Sequence, residues 1–283
     1  MDDAGEIVDA IDQGGAHVQG AVDDHINGHA GRFGFGFGLA LVGFVLAITA
    51  CGRSESVARP PRPVIPVTAR ELVTAVVDDW NSTHATLRTY RRDGGAWHPV
   101  GNAWPGVIGR SGSGWGVGLH GVGAPTGRGG PIKREGDGKS PAGAFAVRGA
   151  YGYAAHAPVG TRISYTALDD AWRCVDDPAS SHYNRILDAR GITVDWKSAE
   201  MMRRPDALYT WVVDVAHNPS ATPDSGSCVF LHVWGGADST TSGCTAMADA
   251  KLTELIATLA PSAVFVLLPK SEYAAIAPMW GLP

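Results

Sequence analysis

The chain has 283 residues, rich in glycine (37) and proline (18), and only 18% of its residues are charged. That length accommodates one sizeable domain with extensions. A formal net charge of −5, with no basic stripe, argues against a nucleic-acid binder, and the lack of a fixed sequence period argues against a solenoid.

Residues 1–31 carry Asp2, Asp3, Glu6, Asp9, Asp12, Asp23 and Asp24 and no Lys or Arg, whereas the first part of an export signal is basic. This N-terminal extension is assigned no structure. From Phe33 to Ala50 no charged residue occurs, and Ile48-Thr49-Ala50 run directly into Cys51. Residues 32–51 therefore read as a signal segment ending in a lipobox, with Cys51 the lipidated residue. The alternative is a single-pass anchor, for which the run is just long enough. Either reading predicts an exported protein held at the outer face of the cytoplasmic membrane. Residues 52–68 form a linker in which Pro60, Pro61, Pro63 and Pro66 favour an extended tether. A catalytic domain is expected over 69–283.

Within that domain the pattern is strand-rich. Leu72–Val77 and Thr86–Arg91 are strand candidates, and Asp93-Gly94-Gly95 signals a hairpin into Ala96–Val100. Gly109–Gly130 is glycine-rich enough to predict a mobile loop. Tyr209–Val215 alternates in a way that predicts a strand with one half-buried face. Cys228–Val233 reads as a mainly apolar strand. Leu252, Leu255, Ile256 and Leu259 recur at helical spacing and predict one helix, followed by a strand over Ala263–Leu268 that Pro269 closes.

The most informative stretch is Cys228-Val229-Phe230-Leu231-His232-Val233-Trp234-Gly235-Gly236, followed by Thr241-Ser242-Gly243-Cys244-Thr245. An apolar run delivers one histidine, and a glycine-bearing loop then delivers one cysteine. A thiol reacts as thiolate, and a neighbouring imidazole is the simplest means of forming it. This pairing predicts that Cys244 titrates below the ~8.5 of a free thiol. Gly243 removes side-chain bulk beside the nucleophile and allows backbone N–H groups around Gly243 and Cys244 to face a developing oxyanion. Thr241, Ser242, Trp234 and Tyr209 are candidate substrate contacts.

Thr241-Ser242-Gly243-Cys244 after a strand ending in His232 resembles the signature of the L,D-transpeptidase (YkuD-like) family. Lys133-Arg134-Glu135-Gly136-Asp137-Gly138-Lys139-Ser140-Pro141-Ala142-Gly143-Ala144-Phe145 is similar to that family's charged turn leading into a strand. Shorter echoes are Trp104–Arg110, Asp176-Asp177-Pro178, Tyr183-Asn184 and Ser198–Met201. Many members have His before the motif Gly and Arg two places after the Cys, where this chain has Ser242 and Ala246. The resemblance implies a mainly β, L,D-transpeptidase-like β-sandwich with one helix after the catalytic loop. It also implies acyl transfer from a peptidoglycan stem tetrapeptide with loss of D-Ala, Cys244 as nucleophile, His232 as base and no cofactor. The alternatives are an L,D-carboxypeptidase-type hydrolase, or a binding lipoprotein that keeps the fold with a degenerate site. A sortase would need an Arg after the Cys, and residues 245–283 contain none. An NlpC/P60-like peptidase has the opposite order of Cys and His.

Two superficial matches to nucleotide motifs fail. Gly138-Lys139-Ser140 lacks the leading glycine of a P-loop, since residue 133 is Lys, and Gly116-x-Gly118-x-x-Gly121 leads into no helix pattern. No nucleotide is implied, and His217, His232 and Cys244 lack metal-site spacing. Cys174 and Cys228 are left over; outside the cytoplasm they either pair or stay as two buried thiols. His217 precedes Asn218-Pro219 and is expected in a loosely held turn. His84, His98, His120, His156 and His182 are expected at the surface.

Overall fold

A computed structural model describes residues 63–283. The extension over 1–31, the apolar segment over 32–51 with Cys51, and the linker up to residue 62 lie outside the described residues. Fifteen strands and two short helices make the domain mainly β. In chain order the first strands are β1 (Glu71–Val77), β2 (His84–Asp93), β3 (Ala96–Val107), β4 (Ser113–Trp115), β5 (Val117–Gly118), β6 (Gly121–Val122), β7 (Ser140–Gly152) and β8 (Tyr165–Ala167). Then come β9 (Trp172–Val175), β10 (Ile186–Asp188), β11 (Ala199–Met201), β12 (Trp211–Val215), β13 (Phe230–Val233) and β14 (Thr245–Met247). Helix α1 (Asp249–Thr258), β15 (Val264–Pro269) and helix α2 (Lys270–Trp280) complete the chain.

Eight strands pair in the order β12-β13-β14-β3-β2-β1-β15-β7, and β7 pairs back onto β12. The sheet thus closes on itself as a barrel rather than forming the two separate layers of a sandwich. The long β7 makes closure possible. Its Gly143–Ala146 stretch pairs with β15 and its Val147–Gly152 stretch with β12. Leu72, Val73, Phe145, Leu231, Phe265 and Val266 fill the interior. All six residues of β15 are buried, because its outer face is covered by α2. Helix α1 buries Leu252, Leu255 and Ile256 and packs on β12 and β13, as its periodicity required. The single expected helix is joined by α2, whose Ile276 and Trp280 are buried and which ends at Gly281 in the left-handed conformation (φ +72°).

The glycine-rich stretch over 109–130 is not a featureless loop. It forms β4 and the β5–β6 hairpin, and Trp115 within it is fully buried. The Trp115 indole N–H donates to the Gly129 carbonyl at 2.7 Å, so one aromatic anchor overrides the local glycine preference. β12 also departs from expectation. It begins at Trp211, and Val212 through Val215 are all buried. Val213 and Val215 face the barrel core, while Val212 faces a second apolar cluster.

That second cluster explains the double burial. Residues between β8 and β12 fold into a three-stranded sheet of order β10-β9-β11, which we term the cap. Leu168, Cys174, Met202, Tyr209, Cys228, Phe230 and Cys244 pack together beneath it. Cys174 and Cys228 form a disulfide across 54 positions of sequence, a closure that restricts the unfolded chain by on the order of 4 kcal/mol.

Candidate active site

His232 is the third residue of β13 and pairs with Ala246 of the parallel strand β14. Cys244 lies just before β14, so the parallel pairing sets it two positions along the ladder from His232 on the neighbouring strand. Both line a cavity of about 490 Å³, together with Tyr209, Thr241, Ser242 and Gly243. Tyr209 does not sit in β12 but in the turn before it, and its ring meets that of His232 edge-on at 5.2 Å. Trp234 is absent from the lining. Its backbone N–H donates to the Met247 carbonyl, which extends the β13–β14 contact and leaves its side chain half-buried elsewhere.

The loop that carries Cys244 is held at several atoms. The Thr241 hydroxyl donates to the Cys244 carbonyl at 2.7 Å and accepts the Gly243 N–H at 3.1 Å. The fully buried Ser140 hydroxyl donates to the same carbonyl at 2.9 Å and accepts the Gly109 N–H. Gly243 adopts φ +154°, and a Cβ there would stand 3.0 Å from the Lys139 carbonyl oxygen. Glycine is therefore required by conformation and by space. Of the two N–H groups expected to face a developing oxyanion, that of Gly243 is taken by Thr241, and that of Cys244 makes no hydrogen bond among the described residues.

The Cys244 thiol is buried. It donates to the Cys228 carbonyl at 3.4 Å, and the Phe230 N–H donates to its sulfur at 3.3 Å. Cys228 precedes β13 rather than starting it, with φ +51°. Burial first, and then the Glu200 carboxylate, push the thiol pKa well above its ordinary value. This reverses the expectation of a thiol titrating below ~8.5: desolvation disfavours the charged form, and no hydrogen bond joins Cys244 to His232 among the described residues. The resting pair is neutral.

The two candidate bases separate on hydrogen bonding. Nδ1 of His232 lies 2.7 Å from the Val233 carbonyl, which can only accept, so Nδ1 carries the proton and Nε2 is the unprotonated nitrogen of the neutral ring. Burial lowers its pKa to about 4, with Arg204 adding to the effect. His217, by contrast, is not loosely held. It is fully buried, its Nε2 faces the Ser225 carbonyl at 2.9 Å, and its Nδ1 accepts the Val117 N–H. Both ring nitrogens are engaged, and His217 does not line the cavity. His120 also differs from its surface expectation. Its ring packs among Trp115, Phe145 and Trp280, and Nε2 is buried without a partner.

Six charged side chains complete the lining: Arg110, Lys133, Glu135, Asp176, Glu200 and Arg204. Five of them fall in segments that resemble the family, yet nothing in their local sequence marks a role for any; Arg204 carries no signal at all. The Arg110 guanidinium donates to the Ser242 hydroxyl at 3.1 Å. Lys133 is buried and paired with Asp137 at 2.6 Å. Glu200 accepts the Tyr209 hydroxyl at 2.6 Å, and burial together with the nearby Asp176 raises its pKa. One oxygen of Asp176 is buried without a partner. Arg204 forks onto Asp206 and lies over the Tyr209 ring at 5.1 Å. The cavity thus offers both signs of charge around one thiol.

No family model, no curated protein and no solved structure matches the chain.

Proposed function

We propose that the chain is a cysteine-dependent acyltransferase of the L,D-transpeptidase type, acting on peptidoglycan stem peptides, with the β domain read as that family's fold. One observation carries this reading: the segments that resemble the family converge on a single cavity. Arg110, Lys133, Glu135, Asp176, Glu200, His232 and Cys244 are dispersed over the sequence, yet all line it.

In the proposed reaction the Cys244 sulfur attacks the carbonyl of the donor's third residue while its proton passes to Nε2 of His232. The tetrahedral oxyanion takes the Cys244 N–H. Collapse breaks the peptide bond, and the departing D-Ala nitrogen receives the proton from His232, leaving a thioester. An acceptor amine then gives a proton to His232 as it attacks, and Cys244 leaves and is reprotonated. Water in place of the amine gives the carboxypeptidase outcome. Because thiol and imidazole are both neutral at rest, charge develops only along this path, in a cavity whose Arg110, Lys133 and Arg204 can balance it.

The disulfide supports an oxidising compartment, in line with the proposed export and attachment to the outer face of the membrane through Cys51 or the apolar segment. Intact-mass analysis after incubation with a stem tetrapeptide or a carbapenem tests the reading. An acyl adduct mapping to Cys244, absent in Cys244→Ser, is expected. A chain that binds the peptide without forming an adduct would be a binding module instead.

A further inference from the structure

The mechanism leaves the Cys174–Cys228 disulfide without a part, yet one of its ends abuts Cys244 and the other pairs with a residue that lines the same cavity. At one end, Cys228 presents its carbonyl to the Cys244 thiol at 3.4 Å. Its backbone sits at φ +51°, a conformation a β-carbon disfavours, and is secured by the Asn184 side chain, which accepts the Cys228 N–H at 3.0 Å. At the other end, Cys174 occupies the central strand of the cap, paired with Ile186 on one side and with Glu200 on the other.

The charged groups that act on the thiol are Glu200, Lys133 and Arg204. Lys133 arrives from the barrel side and is fastened to Asp137. Glu200 and Arg204 arrive with the cap and its edge. The bridge is a covalent cross-link between cap and barrel beyond the backbone itself, and it enters the cap at the cross-strand partner of Glu200.

We propose that this disulfide is a positioning device for Cys244. It holds the Cys228 carbonyl against the thiol and the Glu200 carboxylate in the same cavity, and so sets the pH at which the thiol becomes reactive. The inference rests on Cys244 as the reacting group, but not on the identity of its acyl donor. Opening the bridge frees the Cys228 backbone to leave its disfavoured conformation and loosens the strand that pairs with Glu200. The apolar cluster of Leu168, Met202, Tyr209 and Phe230 still anchors the cap, so the domain keeps its fold.

The test is a cycle of four chains: wild type, Glu200→Gln, the paired Cys174→Ser and Cys228→Ser change, and all three substitutions together. The readout is the pH midpoint of iodoacetamide alkylation at Cys244, followed by fragment-ion mass so that other thiols do not interfere. Glu200→Gln lowers the midpoint in the bridged chain, since Gln keeps an acceptor for Tyr209 and loses the charge. The bridge-free chain has a lowered midpoint already, and Glu200→Gln then shifts it by less than half as much. If Glu200→Gln shifts the midpoint equally with and without the bridge, or if removing the bridge leaves the midpoint unmoved, the disulfide is only a structural staple and the proposal fails. Should the bridge-free variant not fold, folded wild type and folded Glu200→Gln are each reduced with a phosphine and compared in the same way. Alkylation does not depend on transfer, so an absent acyl adduct would overturn the proposed activity while this comparison still decides the role of the bridge.

Discussion

The side chain of Ser140 reaches the carbonyl of Cys244 at 2.9 Å across 104 positions of sequence. The start of β7 and the nucleophile loop are thereby one unit, and Thr241 holds the same carbonyl from the other side at 2.7 Å. Ser140→Ala leaves the buried Gly109 N–H without its acceptor, and a cost of about 1–3 kcal/mol in chemical denaturation is expected. Thr241→Val should slow acylation of Cys244 severalfold, whereas Thr241→Ser, which keeps the hydroxyl, should stay near wild type. A loss for Ser with Val near wild type would show that the Thr241 methyl, not its hydroxyl, matters.

Gly243→Ala combines a disfavoured backbone angle with a Cβ at 3.0 Å from the Lys139 carbonyl. A strain of about 1–3 kcal/mol is expected, relieved by displacing the loop that carries Cys244. Acyl-enzyme formation should then fall far more than the melting temperature does. A variant that acylates at the wild-type rate would mean that the loop tolerates the shift.

The two buried histidines make the fold acid-sensitive in a defined window. Burial lowers both His217 and His232 to about 4, below the ~6.5 of an unfolded imidazole. Between these values the unfolded chain binds more protons than the native one, so stability present above pH ~6.5 drains away as pH falls towards 4. Each histidine contributes about 1.4 kcal/mol per pH unit there. Urea titrations at pH 7, 6 and 5 should show this, and His217→Gln should remove about half of the slope. An unchanged slope would assign the acid sensitivity to carboxylates.

His232→Ala should lower transfer on the order of a hundredfold or more, as loss of a general base does. His217→Ala should affect stability more than chemistry, because both of its nitrogens are committed to the backbone. The acid limb of acylation should fall near pH 4 rather than 6.5, since His232 alone must stay unprotonated. Swapped phenotypes would place the base at His217.

Cys51→Ala should release the protein from membranes or leave an unprocessed precursor, as lipidation requires that thiol. A mature wild-type chain that begins well before residue 51 and carries no lipid mass would favour the single-pass anchor.

Much of the framework was legible in the sequence because period and punctuation agree there. Asp93-Gly94-Gly95 turns β2 into β3, and Leu252, Leu255 and Ile256 place α1 on the barrel. Of the cavity lining, the sequence made legible Cys244 and His232, which sit beside a glycine loop and near a strand end, with Thr241, Ser242, Gly243 and Tyr209 around them. Glu200, Asp176 and Arg204 carry no local signature, because their meaning comes from the cap folding over the cavity. The thiol's upward shift was equally hidden: burial and the Glu200 charge are properties of the packed cap, not of the Ser-Gly-Cys loop. Trp115 shows the same limit in reverse, one side chain ordering a stretch whose glycines read as free.

Closure of the barrel has a consequence for recognition. Strand β13, which carries His232, is flanked by β12 and β14, and β14 in turn by β3. Within the barrel, the strand that carries His232 is therefore paired on both sides, and a peptide cannot be gripped along it by strand addition. A backbone ladder would select a regular, extended chain of uniform handedness. Beside the cavity, among the described residues, such a ladder has a free edge only at β11 of the cap, whose Glu200 lines it.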